Sequence, residues 1–204
     1  GVRQFVQMST IAVFGSASRI SETTPERPQT YYGSSKLKAD KELVAMSDRE
    51  FKAAIIRPPM AYGGGMAPGN MLRLIRLVNK HIPLPFGLAR NSRDFINVKN
   101  LVEFIHLAVE KEVEGVFYPT DKVPYSTRNV VEEISRQLGV HTINLPSPSI
   151  FLKLIEKVRP DLYQKLWGDV VIDRQLALSA IGYEPRYTLE DGIREMVESF
   201  KQQK

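Results

Sequence analysis

The 204 residues are 43% hydrophobic and 25% charged, an ordinary globular composition in a chain long enough to bury a core. With no cysteine, a disulfide framework and a thiolate metal site are excluded, and a reducing cytoplasmic setting is expected. The net charge of +5 suits an anionic ligand such as a diphosphate, whereas no basic run interleaved with aromatics points to nucleic acid.

In chain order, Arg3–Met8 predicts a short buried strand that delivers Ser9 and Thr10 at its C-terminal end, where open α/β sheets bind ligands. Ser21–Gln29 is a polar loop with Pro25 and Pro28. Tyr31–Met46 predicts a helix with Leu37, Leu43 and Val44 available for packing. On that helix Tyr32 and Lys36 stand four apart, so phenol and ammonium share a face one turn apart. A free phenol has a pKa of about 10, too high for a base near neutrality. A fixed ammonium nearby favours the phenolate. A hydroxyl from a strand end, such as Thr10, can share a hydrogen bond with the oxygen being deprotonated. Plainer roles exist for the same residues: strand-end hydroxyls often satisfy backbone groups, and Lys36 could be a solvated helix residue.

Phe51–Arg57 predicts a second strand, stopped by Pro58 and Pro59. Strand, helix and strand then form a right-handed crossover at the edge of a parallel sheet. The glycine-rich stretch Tyr62–Gly69 lacks the Lys-Ser/Thr of a phosphate loop and the spacing of a dinucleotide turn, so it reads as a flexible connection. Met71, Leu72, Leu74, Ile75, Leu77 and Val78 predict an apolar helix, followed by a tight turn at Leu84–Gly87. Asn100 is the expected N-cap of a helix through Val109, with Leu101, Val102, Phe104, Ile105 and Ala108 inward. Gly115–Pro119 predicts a strand, and Ser126 or Thr127 starts a helix closed by Gly139. Ile150–Val158 is amphipathic, expected to face a core in preference to a membrane surface. Thr188 and Asp191 resemble a capping box opening the last helix. His81, His106 and His141 are scattered, with no carboxylate cluster at ligand spacing, so no metal site is expected. No apolar stretch reaches the roughly 20 residues of a membrane span.

Four motifs occur in order: Ser9–Gly15, Tyr32–Lys36, Arg57–Gly63 and Arg93–Val98. Together they resemble the extended short-chain dehydrogenases/reductases, the NAD-dependent nucleotide-sugar epimerase/dehydratase family, from about Arg3 to the last helix. Members of that family begin with a strand, a Gly-x-x-Gly-x-x-Gly turn and a helix that cradles the cofactor pyrophosphate. Only eight residues precede Ser9, and they hold no such turn. The resemblance therefore implies the C-terminal portion of an enzyme. Its fold would be α/β, a partial Rossmann-like parallel sheet with N-terminal strands missing, plus a smaller, mostly helical substrate-binding region. Residues 1–58 would be the remnant of the cofactor-binding domain and 59–204 the substrate-binding region, with about 94–120 packing back on the sheet.

The resemblance also implies roles. Tyr32 would be the general acid/base, Lys36 would tune it and hold the nicotinamide ribose, and Thr10 would be the catalytic hydroxyl. Ser9, Tyr32, Lys36 and Pro59 would meet the cofactor. Asn70, Leu84, Phe86 and Arg93 would meet the nucleotide, Arg93 by a fork onto phosphate. A packed Phe86 without a ligand, and an Arg93 that only steadies the start of a strand, are the alternatives. Dehydratases of this kind commonly carry Asp-Glu after the catalytic threonine, where Ile11 and Ala12 stand here, so elimination of water is disfavoured. The expected activity is that of a bacterial UDP-sugar 4-epimerase or 4-keto-sugar reductase of surface-polysaccharide pathways, using NAD or NADP in the full-length enzyme. This portion alone is expected to be inactive and to bind no cofactor. Expected partners are a UDP-sugar, the missing N-terminal segment and, in a homodimer, a second copy. The rival is a non-catalytic nucleotide-sugar-binding or assembly module working with a partner chain.

Overall fold

The chain runs through β1 (Gln4–Met8), a 3-10 turn (Ile11–Phe14), β2 (Arg19–Ile20), α1 (Tyr31–Met46), β3 (Lys52–Ile56), β4 (Met60–Tyr62), α2 (Asn70–Asn79) and β5 (Phe95–Asn97). It continues through α3 (Val98–Glu110), β6 (Gly115–Phe117), α4 (Thr127–Leu138), α5 (Ser149–Val158), α6 (Pro160–Leu166), β7 (Val171–Ile172), α7 (Arg174–Leu178) and α8 (Leu189–Gln202). The computed structural model describes residues 1–65, 69–147, 149–178 and 181–203, with main chain alone at 149–151, 161, 162, 165, 177 and 178. Met66, Ala67 and Pro68 of the glycine-rich connection and the side chains of Ile150 and Phe151 lie outside that description.

The elements fall into two compact units. The first comprises Gly1–Ala61, Asp94–Val123 and Val170–Arg186; the second comprises Tyr62–Arg93, Pro124–Asp169 and Tyr187–Lys204.

In the first unit, β3 is the middle strand of a parallel sheet in the order β1-β3-β6. Its run Ala53–Ile56 is apolar at every position and at most 1% exposed, as expected of a parallel strand covered on both faces. The β1–β3 register runs from Gln4 opposite Lys52 to Met8 opposite Ile56. β1, expected to be buried, is only half-buried, with Phe5 exposed. β2 pairs in parallel with β7, and β4 forms a short ladder with β5. One core cluster gathers Ala54, Ile56, Ile96, Leu101, Phe104, Phe117 and Tyr183. A second gathers Val13, Phe14, Ile20, Leu37 and Ile172 against the inner side of α1. Burying each such isoleucine or phenylalanine contributes roughly 1.5–3 kcal/mol.

The second unit is mostly helical. α2 buries Met71, Leu72, Ile75 and Val78, and α4 buries Val130, Val131 and Ile134. α8 adds Leu189, Ile193, Met196 and Val197, and α4 packs against both α2 and α8. Ser126 caps α4 in a reciprocal box with Asn129, Gly139 closes it in the left-handed region, and Thr188 and Asp191 box the start of α8.

Three expectations are corrected. The N-cap of α3 is Asn97, whose side chain accepts from Lys99 N; Asn100 lies fully buried inside the first turn. Its amide is consumed by tertiary bonds instead, donating to Asp121 Oδ1 at 2.8 Å and accepting from Arg186 N at 3.0 Å. Val44 and Val102 are about half exposed instead of inward. On α1 the inward stripe runs through Gly33, Leu37 and Asp40, a charged residue that hydrophobic periodicity does not register. On α5, Leu154 and Val158 are exposed, while Leu152 and Ile155 are half-buried.

Candidate active site

Thr10 ends the extended segment after β1 and caps the 3-10 turn, its Oγ1 accepting from Ala12 N at 3.1 Å. A hydroxyl that accepts this way keeps a proton to donate. The chain then turns at Gly15, where φ is +64°, and a Cβ would clash with Arg27 O. Only glycine fits there.

α1 docks closely on this turn. At Gly33 an added Cβ would lie 2.8 Å from Ala12 O, so glycine permits the approach. Thr30 caps the helix, accepting from Gly33 N at 3.0 Å. Tyr32 therefore sits in the first turn, and its side chain is 56% exposed. Lys36, half-buried one turn later, donates from Nζ to Met8 O at 2.8 Å. A carbonyl at the C-terminal end of β1 thus holds the ammonium beside Ser9 and Thr10. Lys36 is thus tied to the carbonyl that precedes Ser9 and Thr10 in the chain, and Tyr32 stands one turn before it on α1. Pro59 is buried just beyond the C-terminal end of β3.

Ser9 is 5% exposed and its hydroxyl is committed inward, donating to Asp40 Oδ2 at 2.7 Å. Asp40 pairs with Arg57, Nε to Oδ2, at 2.9 Å. Arg57 Nη2 meets Glu26 at 2.7 Å, Nη1 donates to the Tyr118 hydroxyl at 3.3 Å, and the guanidinium lies 5.5 Å from the Phe14 ring centroid. Burial opposes the Arg57 charge, yet Tyr118, Glu26 and Asp40 together hold its pKa above the ordinary arginine value. Burial likewise pushes the Tyr118 phenol up. Asp40 escaped sequence reasoning, although its place four residues after Lys36 puts it on the same helix face.

The expected nucleotide residues lie in the second unit. Asn70 is exposed at the first position of α2. Leu84 and Phe86 are 4% and 3% exposed, Leu84 bridging to Asn144 and Phe86 packing on Trp167 with ring centroids 5.3 Å apart. Arg93 is half-buried, and Nη1 donates to Gln164 O and Gly168 O, both at 2.8 Å. Burial draws its pKa down, against the opposing charge of Asp169. The unit boundary falls after Arg93. Its neighbour Asp94 accepts from Ile172 N at 2.7 Å and pairs with Arg174 within the first unit. Among the described residues no cluster of His, Asp or Glu could hold a metal ion, and no helix is long and apolar enough to cross a membrane.

A family model described as the NAD dependent epimerase/dehydratase family matches residues 1–118, more than half of the chain. The chain is 33% identical over 212 residues to a UDP-glucose 4-epimerase of Vibrio cholerae, covering 99% of itself and 64% of that relative. It therefore spans just under two thirds of the relative's length. Among solved structures, it resembles a UDP-glucuronic acid 4-epimerase of Bacillus cereus in complex with NAD, with TM-score 0.77, 21% identity, and coverage of 98% of this chain and 62% of that one. A dTDP-glucose 4,6-dehydratase of Bacillus anthracis, also with NAD, gives TM-score 0.71 at 21% identity, covering 98% and 62% of the two chains. At these identities the structural likeness shows the fold, which serves both kinds of enzyme.

Proposed function

The chain belongs to the NAD dependent epimerase/dehydratase family, and we propose that it supplies the proton-transfer residues and nucleotide contacts of a UDP-sugar 4-epimerase or 4-keto-sugar reductase. The observation that carries the proposal is the Lys36 ammonium, bound to Met8 O at the end of β1 one helical turn from the half-exposed Tyr32 phenol. This is the C-terminal edge of a parallel sheet, where α/β folds bind ligands, and the donors there suit a nicotinamide nucleotide. Tyr32, Lys36 and Pro59 would contact it; the Ser9 hydroxyl is taken by Asp40. When bound, the nicotinamide accepts or returns the hydride of the sugar C4–H bond.

Tyr32 takes the proton of the C4 hydroxyl as the carbonyl forms and returns it in the reverse direction. Lys36 stabilises the phenolate that accepts this proton. Thr10 donates a hydrogen bond to the reacting oxygen and keeps it within reach of the phenol. In the second unit, Arg93 and Asn70 would meet the diphosphate, with Leu84 and Phe86 lining the base site. The relative from Vibrio cholerae supports a UDP-sugar as substrate. After Thr10 the 3-10 turn opens with Ile11 and Ala12, neither of which can carry a proton, so elimination of water has no acid or base there.

The test is product analysis of the whole protein with NAD and UDP-glucose, and with NADH and a UDP-4-keto sugar. Inversion at C4 or reduction of the ketone is expected. A 4-keto-6-deoxy product would overturn the assignment.

A further inference from the structure

Asp40 stands one turn after Lys36 on the inward side of α1 and is 1% exposed. Its Oδ2 accepts from Ser9 Oγ at 2.7 Å and from Arg57 Nε at 2.9 Å. Ser9 directly precedes Thr10, and its own main-chain N–H donates to Ile56 O at 2.7 Å. Arg57 follows β3 and its main-chain N–H donates to Phe117 O at 2.8 Å. Through Nη2 it reaches Glu26, in the loop that leads into Tyr32, at 2.7 Å. One buried carboxylate oxygen thus joins the ends of β1 and β3, the loop before α1 and the body of α1.

Stability alone is a weak reason for such a group. A buried ion pair can often be replaced by apolar side chains without loss. Here Asp40 Oδ1 is also buried without a hydrogen-bond partner, an arrangement that opposes folding. What a buried carboxylate gives in return is direction, because its hydrogen bonds fix angle as well as distance. The parts it fixes are those whose spacing governs proton transfer: the strand end bearing Thr10 and the helix bearing Tyr32 and Lys36.

We propose that Asp40 is a positioning residue for proton transfer, acting through Ser9 on Thr10 and through Arg57 and Glu26 on the approach to Tyr32. The inference rests on the proposed function. Misplacing reacting groups by about 1 Å can cost roughly 10²-fold in rate.

Ser9→Ala tests it most sharply, since it leaves the Asp40–Arg57 pair intact and removes only the tie to the strand end. In the whole protein, kcat should fall about ten- to a hundredfold, while sugar-nucleotide KM and NAD affinity stay close to the parent and Tm falls only by what one lost hydrogen bond accounts for. Ser9→Thr should recover most of the rate. Amide hydrogen exchange across residues 10–14 should quicken in Ser9→Ala and return in Ser9→Thr. Asp40→Asn should lower kcat without adding fully to Ser9→Ala in the double variant.

An unchanged kcat in Ser9→Ala, a loss that follows Tm or NAD affinity instead, or no recovery in Ser9→Thr would overturn the positioning role. Tyr32→Phe run in parallel separates the two levels. If it stays active, the proposed function fails; if it is inactive while Ser9→Ala is normal, only the role of Asp40 fails.

Discussion

Lys36 Nζ and Met8 O lie 2.8 Å apart, which ties the middle of α1 to the last residue of β1. The bond serves two ends, because it satisfies a strand-end carbonyl and fixes where the positive charge stands. Lys36→Met should therefore lower both stability and turnover, but unequally. Loss of one such hydrogen bond costs about 1 kcal/mol, whereas loss of the charge that supports the acid/base residue should lower kcat by about 10²-fold or more. Thermal melting and steady-state kinetics on the same variant check this. A turnover that falls only as far as the folded fraction would make Lys36 a structural residue.

Arg93 presents a similar choice. Nη1 already holds the carbonyls of Gln164 and Gly168, so the side chain steadies the turn that carries Trp167. An ammonium cannot reproduce the planar fork expected on a diphosphate. Arg93→Lys should weaken UDP binding by about tenfold, the equivalent of one charge-assisted hydrogen bond, and should also lower Tm. UDP titration beside a melting curve decides the matter. Unchanged affinity with a lower Tm would leave Arg93 as a clamp on residues 164–168 only.

Acid should act on the start of α8. The main-chain N–H of Thr188 and then its hydroxyl hold Asp191 below the usual carboxylate range, with Arg194 contributing. A carboxylate depressed in the folded state stabilises above its unfolded pKa of about 3.9, and that contribution is lost as pH falls through the lower folded value. Asp191→Asn should thus lower Tm near neutrality, with parent and variant converging as pH is taken below about 4. A constant gap across that range would remove the charge from the account.

The Thr188–Asp191 capping box, the strand–helix–strand crossover and the helical spacing of Tyr32 and Lys36 were legible in the sequence because each follows from local pattern. Three kinds of feature were not. Asn100 has the look of a helix cap, but its amide donates to Asp121 and accepts from Arg186, both distant in sequence, and Asn97 takes the cap. β2 and β7 are two residues each, too short for any alternation to show, and exist because Ile20 and Ile172 share a core. Asp40 interrupts an apolar stripe, so periodicity passes over it; its meaning comes from Ser9 and Arg57, contributed by other elements. The same holds for Phe86, whose packing on Trp167 no spacing could predict.

The central claim is that Tyr32 carries the proton. The most direct measurement is turnover and sugar-nucleotide affinity of Tyr32→Phe in the whole protein, with a melting curve to confirm folding. The side chain is 56% exposed, so losing the hydroxyl should leave Tm nearly unchanged. The account predicts a fall in kcat of about 10²–10⁴-fold with UDP-sugar affinity within twofold of the parent. A folded Tyr32→Phe protein that retains most of its turnover would contradict it.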